Sequence, residues 1–282
     1  MKIQKNGGNV QEAQKLYEEA FAEGLNDARF NMPYALMLIR DGQYQKAKEF
    51  LVAHQKTPMQ PQQRIEMLVY YATCCLRLGN VEKGVSILEQ QFRKTETGLL
   101  YQTLGYLYVE KYDAARTPDF AALKAEAEQK AAEEAEKAAE EAMDAAGGED
   151  QAETPAEEEA EAAPAASPEE EWNAGKDKAE EFIRKSIEYD DEDAICLDNM
   201  GQFLYRVRED KAAAKEYFEK AIELKPGQID TLYFLSRYDL EAGDRKAALE
   251  KLEKAAEGHF SPLNYCSRET VQKEIENLKG AE

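Results

Sequence analysis

LDNMGQFLYRVREDKAAAKEYFEKAIELKP, Leu197–Pro226, is the stretch of this 282-residue chain whose reading decides the fold. In its first half Met200, Gly201 and Leu204 stand at helical spacing, and in its second half Ala213, Tyr217 and Ala221 do the same. Residues three or four apart share one face of a helix, so the stretch predicts two helices, each with a marked face. The short connection between them makes the pair antiparallel. Such helices approach closely only where one offers a small side chain to a bulky residue of the other, and Gly201 and Ala213 are the expected crossing points. Pro226 ends the second helix.

The same order recurs on either side. Asn31–Leu51 carries Tyr34, Ala35, Leu38, Gly42, Tyr44, Ala47 and Leu51. A third copy runs through Leu68, Tyr71, Ala72, Cys75, Gly79, Gly84 and Leu88, and a fourth through Leu232, Leu235, Ser236, Gly243, Ala248, Leu252 and Ala255. Gly42, Gly79 and Gly243 fall where a helix must end in the left-handed conformation that glycine adopts without strain. A hairpin of this kind exposes apolar surface on both sides, so neighbours must stack.

These residues resemble the tetratricopeptide repeat family, whose unit is about 34 residues long; one copy opens at Ala194 and the next near Ile229. The resemblance implies an all-α fold, a solenoid of antiparallel helical hairpins wound into a right-handed superhelix with a concave groove lined by the first helix of each unit. It implies that a peptide or protein segment binds there. The inward positions that family geometry assigns are Arg29, Met32, Leu36 and Arg40, then Val69, Tyr70, Thr73 and Arg77, then Gln102, Tyr106 and Val109. Asn199, Gln202, Tyr205 and Arg206 follow, and finally Tyr233, Arg237 and Glu241. Arginine and tyrosine are enriched at binding hot spots. The Lys and Asn clamp by which some family members hold a chaperone's carboxylate tail does not carry over, because Met32, Leu36 and Val69 occupy those places. Gly84, His54, Gln91 and Asp239 depart from the family pattern, which predicts looser packing at their junctions.

Three regions are expected. Residues 1–112 form N-terminal hairpins of which the first is incomplete: Gly8, Asn9, Ala13, Tyr17 and Ala20 read as a turn and second helix whose first helix is missing. This suggests a natural protein that begins earlier, with another helix or a membrane anchor. Residues 113–167 form an acidic insertion that splits one unit, since Tyr101, Leu104, Gly105 and Tyr108 make a first helix whose partner appears only at Ala179, Ile183 and Ser186. Between Ala121 and Glu171 eighteen acidic residues face three lysines, a net of minus 15 out of the chain's minus 21. Phe120–Met143, rich in Ala, Glu and Lys, lacks a continuous apolar stripe and predicts a projecting, solvated helix. Gly147–Ser167 buries too little to fold and reads as disordered. Residues 168–282 hold the C-terminal hairpins: Ser167, Pro168 and Glu170 form a helix-start signature, Trp172 reads as a packing residue, and Ser267–Leu278 reads as a capping helix with Val271, Ile275 and Leu278 on one face.

The acidic balance argues against a nucleic-acid partner, and no apolar run is long enough to span a membrane. Phosphate loops, nucleophile elbows and paired-histidine zinc motifs are missing from the sequence, so neither catalytic residues, nor a metal site, nor a cofactor is expected. His54 reads as a tolerated interhelical histidine. Cys74, Cys75, Cys196 and Cys266 lack metal spacing and read as reduced thiols in a cytoplasmic setting, with one of Cys74 and Cys75 in the core and the other on the inner surface. The expected function is a non-catalytic scaffold that binds proteins, with the soluble domain of a membrane-anchored assembly as the alternative.

Overall fold

The computed structural model describes residues 10–145 and 166–280. The Gly147–Ser167 expectation falls almost wholly outside them. Thirteen α-helices and no strand occur among the described residues. The chain divides into two compact units, Met1–Ala114 with Ala179–Glu282, and Ala115–Lys178.

The first unit is a run of hairpins. The helices are α1 (Val10–Ala22), α2 (Ala28–Arg40), α3 (Tyr44–Ala53), α4 (Pro61–Arg77), α5 (Val81–Phe92) and α6 (Gly98–Tyr112). After the intervening segment come α8 (Pro168–Tyr189), which belongs to this unit from Ala179 onward, then α9 (Ala194–Arg206), α10 (Lys211–Leu224), α11 (Ile229–Glu241), α12 (Arg245–Ala256) and α13 (Arg268–Lys279). Most begin on a side chain able to satisfy a free backbone amide: Asp27, Asn80, Thr97, Asp193, Asp210, Asp244 and Ser267 each accept from an N–H of the first turn.

Three of the tight turns share one construction. Gly42, Gly79 and Gly243 have φ of +74°, +79° and +81°. Beyond them the amides of Gln43, Asn80 and Asp244 reach back to the carbonyls of Leu38, Cys75 and Asp239 at 2.8–2.9 Å, closing each helix end. The turn of the deciding stretch is one residue longer, Val207–Asp210, and its left-handed position is held by Glu209, at φ 57°. That extra residue advances α10 by one position. Ala214, Phe218 and Ala221 are therefore the fully buried set, while Ala213 and Tyr217 are only half-buried, which corrects the expected register.

Gly201 is a crossing point as expected: a Cβ there would lie 2.7 Å from two carbons of the Phe218 ring. The departures at Gly84 and Asp239 do not loosen their junctions. A Cβ on Gly84 would come within 3.1 Å of the Ala72 carbonyl oxygen, so α4 and α5 pack closer there than alanine would readily permit, and Asp239 pairs with Lys251 across α11 and α12 at 2.5 Å. His54 caps α3 and stacks on Phe50 with ring centres 4.0 Å apart.

The split hairpin closes. Phe182 on α8 meets Phe92, Tyr101 and Tyr108 at 5.0, 5.4 and 5.3 Å, and Ala179, Ile183 and Ser186 are fully buried. Cys74 and Cys75 are likewise both fully buried, so neither faces the inner surface.

In the second unit, α7 (Phe120–Ala145) carries i,i+4 pairs Lys124–Glu128 and Lys130–Glu134 at 3.9 and 4.0 Å. Its side chains from Ala121 to Ala135 are exposed, as a helix without an apolar stripe should be. Ser167 and Glu170 form the reciprocal cap that the sequence announced, Ser167 N–H donating to Glu170 at 2.8 Å and Glu170 N–H to Ser167 Oγ at 3.3 Å. Trp172 packs edge-on against Phe120 at 6.4 Å.

Candidate functional site: the inner face of the first helices

Residues of α2, α4, α6, α9 and α11, the first helices of the hairpins, line three of the cavities in the first unit. Met32, Pro33, Leu36, Met37, Arg40, Glu66 and Tyr70 surround about 210 Å³ on α2 and α4. A cleft of about 500 Å³ runs over α6, α9 and the start of α11, with Gln102, Tyr106, Asn199 and Gln202 in its wall. Another of about 500 Å³ lies beside Arg40, Tyr44 and Arg77.

Val109, expected to face inward, is fully buried, and Glu241 instead pairs with Lys211 of α10. Met32, Arg40 and Tyr70 stand in the first cavity, with Tyr70 half-buried and its phenol pKa raised by burial. Arg29 is exposed and forks onto Asp27, the cap of its own helix, at 2.8–3.2 Å. Thr73 is buried and its hydroxyl donates to the Val69 carbonyl, the ordinary destination of a mid-helix threonine. Gln102 donates to Asp193 at 2.6 Å, and its carbonyl accepts from Asn199 Nδ2 at 2.9 Å. Tyr106 is buried within the apolar cluster of Ile65, Val69 and Leu104, and that burial pushes its pKa up.

Tyr205 is not on the inner face. One turn beyond Gly201, it keeps to the side where α9 meets α10 and lies 5.1 Å from Phe234, 6.5 Å from Phe218 and 5.8 Å from Tyr238. Tyr233 and Arg237 pair with each other, and Arg237 also holds Glu274 of α13 at 2.8 Å.

Arg206 is the most heavily bonded of the set. It donates to Glu110 and Asp113, each at 2.7 Å, and to Gln202 Oε1 at 2.9 Å, and its side chain is 7% exposed. Beside it Gln202 donates to Asp198 at 2.7 Å and Thr231 donates to Asp198 at 2.5 Å. Asp198 and Asp230 are both buried. Burial first, and then the neighbouring Asp230 carboxylate, raise the Asp198 pKa to about 7.

Sequence reasoning missed what covers this wall. The connection between α12 and α13 runs back over the inner face. Arg77 donates to the carbonyls of Pro262 and Asn264 at 2.7 and 2.9 Å. Asp230 accepts from Asn264 Nδ2 at 2.9 Å, from Tyr265 N–H at 3.0 Å, and from the Cys266 amide and thiol at 3.3 Å. Tyr265 lies under the Arg206 guanidinium at 4.1 Å, and Leu263 packs on the Tyr106 cluster. The one signal in the sequence was length: Glu257–Ser267 joins two helices where Lys225–Gln228 suffices between α10 and α11.

Among the described residues no three His, Cys, Asp or Glu side chains are grouped as metal ligands, and no helix is long and apolar enough to cross a membrane. Burial lifts the thiols of Cys74 and Cys196 to about 12, so at neutral pH these groups are not nucleophiles.

Comparison with solved structures settles the architecture. TTC0263, a thermophilic TPR protein of Thermus thermophilus, superimposes with a TM-score of 0.57 over 90% of this chain and 99% of its own, at 14% identity. The chain has the tetratricopeptide-repeat fold. Human IFIT1, solved as a dimer with m7Gppp-AAAA, matches this tetratricopeptide solenoid with a TM-score of 0.53 at 13% identity, over 90% of this chain but 46% of IFIT1. The profile of subunit 3 of the anaphase-promoting complex, or cyclosome, matches residues 6–91, within the N-terminal tetratricopeptide hairpins. No curated protein matches the chain in sequence.

Proposed function

We propose that this protein is a non-catalytic interaction scaffold whose inner face takes an extended segment of a partner protein. The observation that carries the reading is the set of side chains Arg40, Tyr70, Arg77 and Tyr106, contributed by the first helices α2, α4 and α6 to the lining of the three cavities. Arginine forks and tyrosine rings are the groups that hold a peptide main chain and its aromatic side chains. Glu66 lines the cavity of Arg40, Asp198 and Asp230 line the neighbouring cleft, and Asp193 accepts from Gln102 at its wall. That mixture suits a polypeptide and would repel a phosphate backbone. Four thiols without a disulfide fit a reducing, cytoplasmic setting.

The test compares capture by the wild-type chain and by a Leu36→Glu, Tyr70→Ala variant, from cells that make the protein, with bound proteins quantified by mass spectrometry. Partners held by the inner face should fall at least tenfold with the variant. Equal recovery by the two chains, both folded by circular dichroism, would move the contact surface elsewhere.

A further inference from the structure

The inner wall is already engaged by Ser261–Cys266, and the manner of engagement is that of a ligand. Two of the segment's carbonyls are taken by one guanidinium, that of Arg77, and two of its backbone amides by one carboxylate, that of Asp230. An apolar side chain, Leu263, sits on the tyrosine-lined cluster, and an aromatic ring, Tyr265, lies against Arg206. The segment is internally pre-shaped: Ser261 N–H donates to Asn264 Oδ1 at 2.7 Å, and Asn264 N–H donates to the Ser261 carbonyl at 3.0 Å, which closes a turn. It stays at the surface, with Tyr265 39% exposed and Pro262, Leu263 and Asn264 half-buried. Neither flanking helix requires this detour, since α13 starts on its own Ser267 cap and α12 ends within its own turn.

We propose that Ser261–Cys266 is a built-in occupant of the partner site, a strap that an external segment of the same chemistry must displace. This rests on the inner face being the binding surface. It also states what that surface selects: an uncharged, turn-forming segment that offers to Arg77 two carbonyls separated by one residue, an apolar side chain to the Tyr106 cluster and an aromatic ring to Arg206. A tethered occupant competes at an effective concentration on the order of millimolar. The intact chain therefore binds external segments weakly until the strap lifts.

The probe is a fluorescein-labelled peptide with the sequence of residues 258–268 carrying Cys266→Ser, titrated by anisotropy into the full chain and into a strap-weakened variant, Leu263→Gly with Tyr265→Gly. The variant should bind the peptide at least tenfold more tightly than the wild type, and adding Arg77→Ala should abolish the gain. Equal affinity for the two chains, or no binding to a variant whose circular dichroism matches the wild type, overturns the proposal. Should the double variant fail to fold, Arg77→Ala in the otherwise unchanged chain gives the answer: alkylation of Cys266, followed by peptide mass mapping, should quicken at least tenfold, and an unchanged rate overturns it. Partner capture through Leu36 and Tyr70 is a separate readout, because their cavity contains no strap residue. It can succeed where the strap proposal fails.

Discussion

Replacing Gly201 by leucine tests the hairpin geometry most directly. A Cβ at this position lies 2.7 Å from Cδ1 and Cε1 of Phe218 and 3.1 Å from its Cγ, roughly 1 Å inside ordinary carbon–carbon contact. The ring has nowhere to retreat. Phe218 is fully buried and stacked on Phe234, with centroids 5.1 Å apart and planes 6° from parallel, and Phe234 is itself buried. Overpacking of this kind costs about 1–3 kcal/mol, while moving from glycine to a better helix former returns about 1 kcal/mol. Gly201→Ala should therefore lose up to about 2 kcal/mol, and Gly201→Leu, with three more carbons in the same space, about 3 kcal/mol or more. Equilibrium urea unfolding followed by far-UV circular dichroism measures both. Phe218→Leu supplies the control, since shortening the ring should relieve part of the loss and give a coupling of about 1 kcal/mol with Gly201→Ala. Full stability in Gly201→Leu, or additive effects in the cycle, would refute the crossing point.

Other outcomes follow from the same coordinates. Ala214→Leu should be destabilising by about 1–3 kcal/mol and Ala213→Leu much less so, which denaturation of the pair will read; the reverse order would restore the unshifted register. Ile183→Ala should lose about 2–5 kcal/mol if α8 completes the hairpin begun by α6, and a neutral result would detach it. Arg206→Met removes the cation from the buried Glu110 carboxylate and should lose about 3–5 kcal/mol in urea; a variant as stable as wild type would dismiss that pair. Asp198 faces Asp230, Gln202, Thr231 and Lys225, and its folded pKa is raised to about 7, above the unfolded carboxyl value, so the folded state holds the proton more tightly. Its contribution is full below the unfolded pKa and is lost as pH rises through about 7. Asp198→Asn should accordingly gain stability relative to wild type at alkaline pH and little in mild acid, and melting curves with a pH-independent difference would contradict this.

Much of the fold was readable because its decisive contacts are local. Gly42, Gly79 and Gly243 mark helix ends through a conformation that other residues avoid, Ser167 and Glu170 cap a helix through groups three residues apart, and Ala47, Ala72 and Ala248 are fully buried where the repeat asks for a small side chain. Glu209 hid the register shift, since an ordinary residue at positive φ leaves no trace in composition. Tyr205 was misplaced for a related reason: spacing says which residues share a face, and only packing says which way the face looks. The strap escaped entirely. Arg77 meets Pro262 and Asn264 across a separation of 185 and 187 positions, and no periodicity reports a contact of that range. The exposed side chains of α7 were foreseen because the absence of an apolar stripe is itself a pattern.

Stacked hairpins ordinarily unzip like a spring, each unit answering only to its neighbours. Here a tie of two guanidinium bonds joins the α4 hairpin to the loop that precedes the final helix. Pulling on α13 therefore loads the middle of the array before the last hairpin peels away. Under force the chain should resist stiffly at small extension and then yield in one step that takes several hairpins together. Cutting the tie with Arg77→Ala should turn that step into a staircase.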